Sequence, residues 1–171
     1  YGPRCYNGAK SWQLGWYDKK EKCLLFGDIK SSPSHLIQLV PVTDAKRASS
    51  EDHTIVLRLA SNTDSDLAWY IMYNKAIDFN KGSWDCRNGV AITTQNDGEI
   101  DPATGRFMIS NYTGCLRKSG HSLISDYLGI ELLEMVSGTE EDPDIAKVCI
   151  YDTELYSSGV EACASLCNEG S

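Results

Sequence analysis

Short apolar segments separated by polar turns recur along the chain, and this pattern predicts a mainly β fold. Thr54–Ala60 is rich in β-branched and aliphatic residues, and Leu67–Tyr73 contains three aromatic residues. Residues of these types favour strands. The intervening stretches carry Asn-Gly and Asp-Gly pairs, which favour turns. The predicted strands are Cys23–Ile29, Leu36–Val42, Thr54–Ala60, Leu67–Tyr73, Val90–Thr94, Arg106–Ser110, Leu128–Val136 and Ala146–Tyr151.

Several short strands with such turns are typical of a β-sandwich. We therefore predict an antiparallel β-sandwich or jelly-roll-like domain over residues 18–156. Ile130–Val136 and Ala146–Tyr151 are expected to form its closing hairpin, around an acidic loop. Residues 157–171 are interpreted as a Cys-containing tail that a disulfide ties to the domain.

A short helix is expected within residues 1–17. Lys10–Trp16 contains neither proline nor a β-branched residue. Trp12 and Trp16 are four positions apart, so a helix would place both rings on one face, where they would pack against the β domain. Gly15 would weaken a helix interior, and we expect it to cap the end of the helix.

Size and charge exclude some classes of partner. The chain has 171 residues, of which 42% are hydrophobic, and this suits one domain with its own core. Its net charge is −8, from 24 acidic and 16 basic residues. This charge argues against nucleic acids and anionic membranes as partners. No stretch reaches the ~20 apolar residues that a membrane-spanning helix needs.

Seven cysteines are many for this length, and their dispersed spacing is typical of disulfide partners rather than of a zinc ribbon. We therefore expect a secreted, extracellular protein. An odd count leaves at least one thiol free or paired outside the chain. Cys5 is the leading candidate for a disulfide partner outside the chain. At least one of Cys163 and Cys167 is expected to tie the tail to the domain. The disulfide candidates are Cys5, Cys23, Cys86, Cys115, Cys149, Cys163 and Cys167.

Asn111-Tyr112-Thr113 is an acceptor sequence for N-linked glycosylation. It follows a predicted strand and precedes Gly114, so we expect Asn111 in an exposed turn. Together with the cysteines, it indicates a secreted glycoprotein.

The histidines do not form a catalytic pattern. A zinc metallopeptidase of the HExxH type needs two histidines one helical turn apart and a glutamate beside the first. The histidines here are His35, His53 and His121, and none has this spacing. We interpret them as exposed or hydrogen-bonded loop residues. No Gly-x-Ser-x-Gly nucleophile elbow is present either, so we predict no catalytic residue.

Calcium is the one cofactor that the sequence suggests. Asn62, Asp64 and Asp66 place side-chain oxygens at alternating positions, as calcium loops do, but the glycine and distal glutamate of an EF-hand loop are missing. An ordinary turn explains these residues more simply, because Asp and Asn bond to nearby backbone groups. The acidic loop 140–144 is interpreted in the same way.

The run Cys5–Tyr17 contains the string Asn-x-x-x-Ser-Trp-x-Leu-Gly-Trp. It resembles the segment that closes the catalytic domain of the gametolysin-like zinc metallopeptidases, which are secreted algal proteases. A looser similarity continues from Thr54 to Glu99. In that family the zinc-binding helix precedes this segment. The resemblance implies that residues 1–17 end a metallopeptidase-like catalytic domain and that an all-β domain follows.

Together with this resemblance, the observations predict a non-catalytic extracellular β domain of a gametolysin-like metallopeptidase. Such a domain would position substrate or bind extracellular matrix or cell-wall material. Its expected partners are an extracellular protein or polysaccharide, a protease domain, or identical copies of the chain. The alternative is a structural glycoprotein subunit of an extracellular assembly or filament, and an unrecognised enzyme is a third interpretation.

Overall fold

Twelve strands and two α-helices are present in the computed structural model, which describes residues 9, 11, 15, 17–32, 34–60, 67–81, 86–96, 100–101, 106–107, 110–125 and 127–168. Short 3-10 helices occupy Asp18–Lys20, Val42–Asp44 and Asp78–Asn80. The prediction of a mainly β fold is confirmed. In chain order the elements are β1 (Glu21–Leu25), α1 (Phe26–Ser31), β2 (Ser34–Leu39), β3 (His53–Thr54), β4 (Val56–Ala60), β5 (Leu67–Asn74), β6 (Gly89–Asn96), β7 (Ile100–Asp101), β8 (Arg106–Phe107), β9 (Asn111–Leu116), β10 (Ser122–Ile124), β11 (Leu128–Val136), β12 (Ile145–Asp152) and α2 (Gly159–Asn168).

Most of the strands belong to two five-stranded sheets. The first sheet has the order β1-β4-β5-β6-β9, and the second has the order β10-β11-β12-β2-β3. Strands β7 and β8 pair separately. The predicted closing hairpin is confirmed, because β11 and β12 pair antiparallel along their length.

The prediction of purely antiparallel pairing is wrong in two places. β1 pairs parallel with β4, and β2 pairs parallel with β3. Parallel neighbours need a crossover connection instead of a hairpin. Here β1 and β2 are consecutive strands in different sheets, and the chain returns to both of them only with β3 and β4.

One stretch of chain, residues 53–60, takes part in both sheets. Its first two residues are β3, which pairs with Gln38 and Leu39, and its last five are β4, which pairs with β1. At the change of sheet, the Ile55 N–H donates to the Lys20 carbonyl at 2.8 Å. The Thr54 carbonyl accepts from the Val40 N–H at 2.8 Å. This stretch therefore fixes β1 and β2 relative to each other.

The main core is shared by the two sheets. Alternating side chains of β4, such as Leu57 and Leu59, belong to the same buried cluster as Ile130 of β11 and Val148 and Ile150 of β12. Burying an aliphatic side chain of this size contributes about 1.5–3 kcal/mol. A second cluster covers the other face of the first sheet. It contains Ala9, Val42, Ile55, Val56, Ala68, Tyr70 and Met72.

Three predicted elements differ from the structure. The predicted strand Cys23–Ile29 ends at Leu25, because the Asp28 carboxylate accepts the Leu25 N–H at 2.9 Å and begins α1. The predicted strand Leu36–Val42 ends at Leu39, and a 3-10 helix starts at Val42. The predicted strand Thr54–Ala60 is interrupted at Ile55, where the chain changes sheet.

Three strands and one α-helix fall outside every predicted strand and helix, namely β7, β9, β10 and α2. β9 and β10 are short and partly polar, so they lack a strong apolar signal. α2 lies in the predicted tail. Its residues are mostly small, so the sequence does not show which face of the helix is buried. That face carries Ala162 and Cys163, which pack against Cys149 and Tyr151 of β12.

The N-terminal prediction can be compared with the structure at few positions. Ala9 and Ser11 have helical backbone, and both are buried. Gly15 has a φ of +60°, which a C-terminal cap of the predicted kind requires. Trp12 and Trp16 lie outside the described residues.

Two disulfides are present in the described part of the chain. Cys86–Cys115 joins the β5–β6 connection to β9, and Cys149–Cys163 joins β12 to α2. Among the described cysteines, Cys23 carries a free, exposed thiol, and Arg58 donates to its Sγ at 3.2 Å. Cys5 and the side chain of Cys167 lie outside the described residues.

We predict that replacing Cys149 and Cys163 together by alanine lowers the free energy of unfolding by about 3 kcal/mol, as expected for a loop of about 15 residues. The bond closes a loop with a sequence separation of 14. Urea unfolding measures the loss, and limited proteolysis should then cut between β12 and α2. Cys23→Ala is the control, and an equal loss in both variants would contradict the assigned bond.

Candidate functional site

A cleft of about 360 Å³ opens where β1, β2 and β3 meet. β1 contributes Lys22, β2 contributes four lining residues, and the turn before β3 contributes Asp52. Its volume is near the lower end of the range for small-ligand sites, roughly 300–1,000 Å³. The lining residues are Lys22, Ser32, Ser34, His35, Leu36, Gln38 and Asp52.

The cleft has charged groups of opposite sign near its two ends. Lys22 lies close enough to His35 to lower its pKa. Asp52 and Lys20 both lie near His53, which pairs with Gln38 across the β2–β3 ladder. Lys22 therefore lies at the His35 end of the cleft, and Asp52 lies at the Gln38 end together with Lys20. Hydroxyl and amide side chains lie between these charges.

His35 is half-buried at the cleft. Burial lowers its pKa below the ordinary value of 6.5, and Lys22 lowers it further. Backbone hydrogen bonds to Asp28 and Ser32, together with the Asp28 charge, oppose this shift. Its Nε2 atom is shielded from solvent and has no hydrogen-bond partner among the described residues. The imidazole is therefore held neutral near pH 7.

His53 lies next to the same cleft, in β3. Burial lowers its pKa below 6.5, Lys20 adds to this effect, and Asp52 and Asp142 oppose it. Its Nδ1 atom is also shielded and has no partner in the part of the chain that the structure describes. Two of the three histidines are thus brought to one corner of the fold.

His121 lies elsewhere, in the exposed turn between β9 and β10. The Arg117 N–H donates to its Nδ1 at 3.4 Å. The three histidines therefore do not converge. Over the described ranges, no group of three or more His, Cys, Asp or Glu residues is arranged to hold a metal ion.

The cleft contains Ser34, His35 and Asp52, but these residues are not connected as a catalytic triad. A triad needs one imidazole nitrogen bonded to the nucleophile and the other to the carboxylate. Here burial and backbone hydrogen bonds govern the His35 imidazole, and its Nε2 is shielded from the cleft. The arrangement offers hydrogen bonds and charge to a polar ligand.

Asp144, at the end of the acidic loop 140–144, belongs to an ion network whose carboxylates are buried and whose cations are partly exposed. Asp144 is ion-paired with Lys75, and its Oδ1 accepts the Gly138 N–H at 2.6 Å. The Asp144 N–H donates to Asp44 Oδ2 at 2.8 Å, and Asp44 Oδ1 lies 2.6 Å from Arg47 Nη2. Arg47 also donates to the carbonyls of Thr139 and Asp142. The calcium candidates Asn62, Asp64 and Asp66 lie outside the described residues.

Asn111 is exposed, but it does not lie in the predicted turn. It is the first residue of β9, an edge strand of the first sheet. The Asn111 carbonyl accepts from Thr113 Oγ1 at 3.4 Å. Thr113 and Asn111 are both accessible, so the acceptor sequence is open to modification on a sheet edge.

Sequence reasoning named His35 but missed the other lining residues of the cleft. Lys22, Gln38 and Asp52 carry no shared motif and are separated by more than ten positions each. What gathers them is the parallel pairing of β2 with β3 and of β1 with β4. The short Ser32-Pro33-Ser34 run is the one local signal in the sequence near the site.

Comparisons with protein-family models, with curated proteins and with solved structures give no match to this chain. In the described residues, no helix has the length and apolar character that a membrane crossing requires.

We predict that the free energy of unfolding decreases as the pH falls from about 7.5 to about 5.5. The pKa values of His35 and His53 are lower in the folded state than the ordinary 6.5. The unfolded chain therefore binds more protons in this window, and acid favours it. Stability is fully present above pH 6.5 and is lost as the pH falls toward the folded-state pKa values.

Urea unfolding at a series of pH values measures this slope, and His35→Gln and His53→Gln should each flatten it. His121→Gln is the matched control, because its side chain is exposed. A slope that persists unchanged in the double variant His35→Gln/His53→Gln would show that other groups cause it.

Proposed function

We propose that this chain is a non-catalytic extracellular binding domain related to the gametolysin-like metallopeptidases. It holds an extracellular protein or polysaccharide, either to position a substrate or to attach to matrix or cell-wall material. The observation that carries this proposal is the cleft between β1 and β2. It presents a cation, an anion, two hydroxyls and an amide around Leu36.

The chemistry of the cleft supports recognition of a polar partner. Ligand sites fix orientation with a small number of placed polar groups, and these groups also give specificity. Lys22 and Asp52 supply opposite charges, while Ser32, Ser34 and Gln38 supply donors and acceptors. Leu36 supplies an apolar contact. A flexible, hydrogen-bonding polymer suits such a surface better than a compact apolar molecule does.

The scaffold supports the same interpretation. We propose that the two sheets form the layers of a β-sandwich, since their apolar side chains enter one buried cluster. We also propose that the C-terminal tail is stapled to this sandwich through Cys149–Cys163. Disulfides persist in oxidising compartments, which favours a secreted, extracellular location. A rigid scaffold keeps the walls of the cleft in place.

We predict that the purified chain is retained on immobilised extracellular proteins or on insoluble polysaccharides such as cellulose and chitin. Asp52→Asn and Lys22→Ala should weaken retention several-fold, because each removes a charge at one end of the cleft. Depletion of the chain from solution measures binding, and no covalent change to the retained material is expected.

Glu51→Gln is the matched control, since Glu51 is exposed beside Asp52 but does not line the cleft. Equal retention of all the variants would remove the cleft from the proposal. Cleavage of the bound material that disappears in His35→Gln would replace the binding role by a catalytic one.

The edge strand β9 favours a second candidate function, the structural glycoprotein subunit. β9 has no strand partner on its outer side in the described part of the chain, and Tyr112 on it is 50% exposed. Exposed strand edges pair readily with other chains, and bulky groups on an edge restrict such pairing. A glycan on Asn111 would therefore control how copies assemble along this edge.

We predict that secretion from a eukaryotic host adds a glycan at Asn111 that peptide-N-glycosidase removes. Asn111→Gln and Thr113→Ala should both abolish the mass shift, whereas Thr113→Ser keeps the acceptor sequence and should retain it. Mass spectrometry reads the modification, and sedimentation should show more self-association without the glycan. A chain that is secreted unmodified would contradict this role for Asn111.

A further inference from the structure

We infer that the edge of β2 along the cleft binds an extended peptide as an additional strand. The peptide would lie in line with β3 and pair with the backbone of Ser34 to Ile37. This inference rests on the proposed binding function and names its partner class. A polysaccharide is the competing occupant that the experiment distinguishes.

Every second residue of β2 directs its backbone groups toward the β3 side. Along a strand, the N–H and C=O groups of successive residues point to opposite sides. The Val40 N–H, just after β2, donates to Thr54 on the β3 side. By alternation, the backbone groups of Gln38, Leu36 and Ser34 also point to the β3 side. These are residues that line the cleft.

β3 is too short to cover the whole edge of β2. It has only two residues, His53 and Thr54, and they pair with Gln38 and Leu39. A turn precedes β3, in which the His53 N–H donates to the Ser50 carbonyl at 3.2 Å. Among the described residues, Ser34 to Ile37 therefore pair with β12 on one side and with no strand on the other. The open edge is about 13 Å long, at the usual rise per residue.

An extended peptide backbone matches the spacing of the groups on this edge. The exposed donors and acceptors repeat every two residues, or about 6.7 Å, which is the repeat of another extended backbone. Sugars do not present paired donors and acceptors at this repeat. Ser34, Leu36 and Gln38 of this edge line the cleft together with Lys22 of β1, so an added strand would lie within reach of the Lys22 charge.

The charges indicate the side chains that the peptide carries. Lys22 lies at the His35 end of the edge, and Asp52 lies at the Gln38 end. An acidic side chain is favoured opposite Lys22, because complementary charges stabilise the bound register. The added strand is therefore specified by sequence as well as by backbone shape.

The test is a display library of eight-residue peptides, screened against the disulfide-intact chain beside soluble polysaccharide probes such as xylan and polygalacturonate. Selected peptides are then synthesised with single N-methyl groups at each backbone position. Isothermal calorimetry should show losses of about tenfold at every second position, where the N–H bonds to β2, and small effects between them.

Two pairs of matched variants test the edge itself. Ser34→Pro removes an outward N–H at the first residue of a strand, where proline is tolerated, and should weaken binding about tenfold. Ser34→Ala keeps that N–H and should bind almost as the native chain does. Lys22→Glu should exclude peptides with an acidic residue at that end, whereas Lys118→Glu, with the same change in net charge, should not.

Each outcome decides between the interpretations. Alternating N-methyl effects together with the Ser34→Pro loss support strand addition. Peptide binding without the alternation, or equal losses in Ser34→Pro and Ser34→Ala, would overturn it. If xylan or polygalacturonate binds and no peptide does, the binding function survives and the peptide inference fails. If neither class of probe binds, the proposed function fails as well.

Discussion

The fold depends on one stretch of chain that belongs to both sheets. Residues 53–60 pair first with β2 and then with β1, and the change of sheet occurs at the buried Ile55. Because both pairings are parallel, β1 and β2 diverge from this corner with α1 connecting their far ends. Residues of both strands line the cleft. The site is therefore a consequence of topology and not of an inserted loop.

The buried ion network holds the neighbouring part of the fold in place. Asp44, in the 3-10 helix after β2, is bound to Arg47 and to the Asp144 backbone, and Asp144 is paired with Lys75. A buried carboxylate is tolerated only when charges and hydrogen bonds compensate its desolvation. The four partners come from three segments, so the network fixes the chain after β2 against the β11–β12 hairpin and the end of β5.

Much of the fold could be predicted from local pattern, and the site could not. β5, β6, β11 and β12 are long, apolar strands, and their positions followed directly from composition. α1 was missed because Asp28, a single capping side chain, converts the end of an apolar run into a helix. The cleft brings together Lys22, Gln38 and Asp52 through long-range parallel pairing. No local rule specifies such pairing, because it depends on contacts between distant strands.

In the described part of the chain, buried polar atoms without a hydrogen-bond partner occur at the corner of the fold that holds the cleft. His35 and His53 each have one imidazole nitrogen shielded from solvent without a partner in the described chain, and both flank the unpaired edge of β2. Such groups cost free energy, and sequences retain them mainly where function requires it. A solvent-exposed strand edge costs little free energy while water hydrates it. It gains the most binding free energy from a partner with a matching backbone. These two nitrogens therefore lie at the corner of the fold that also contains the cleft.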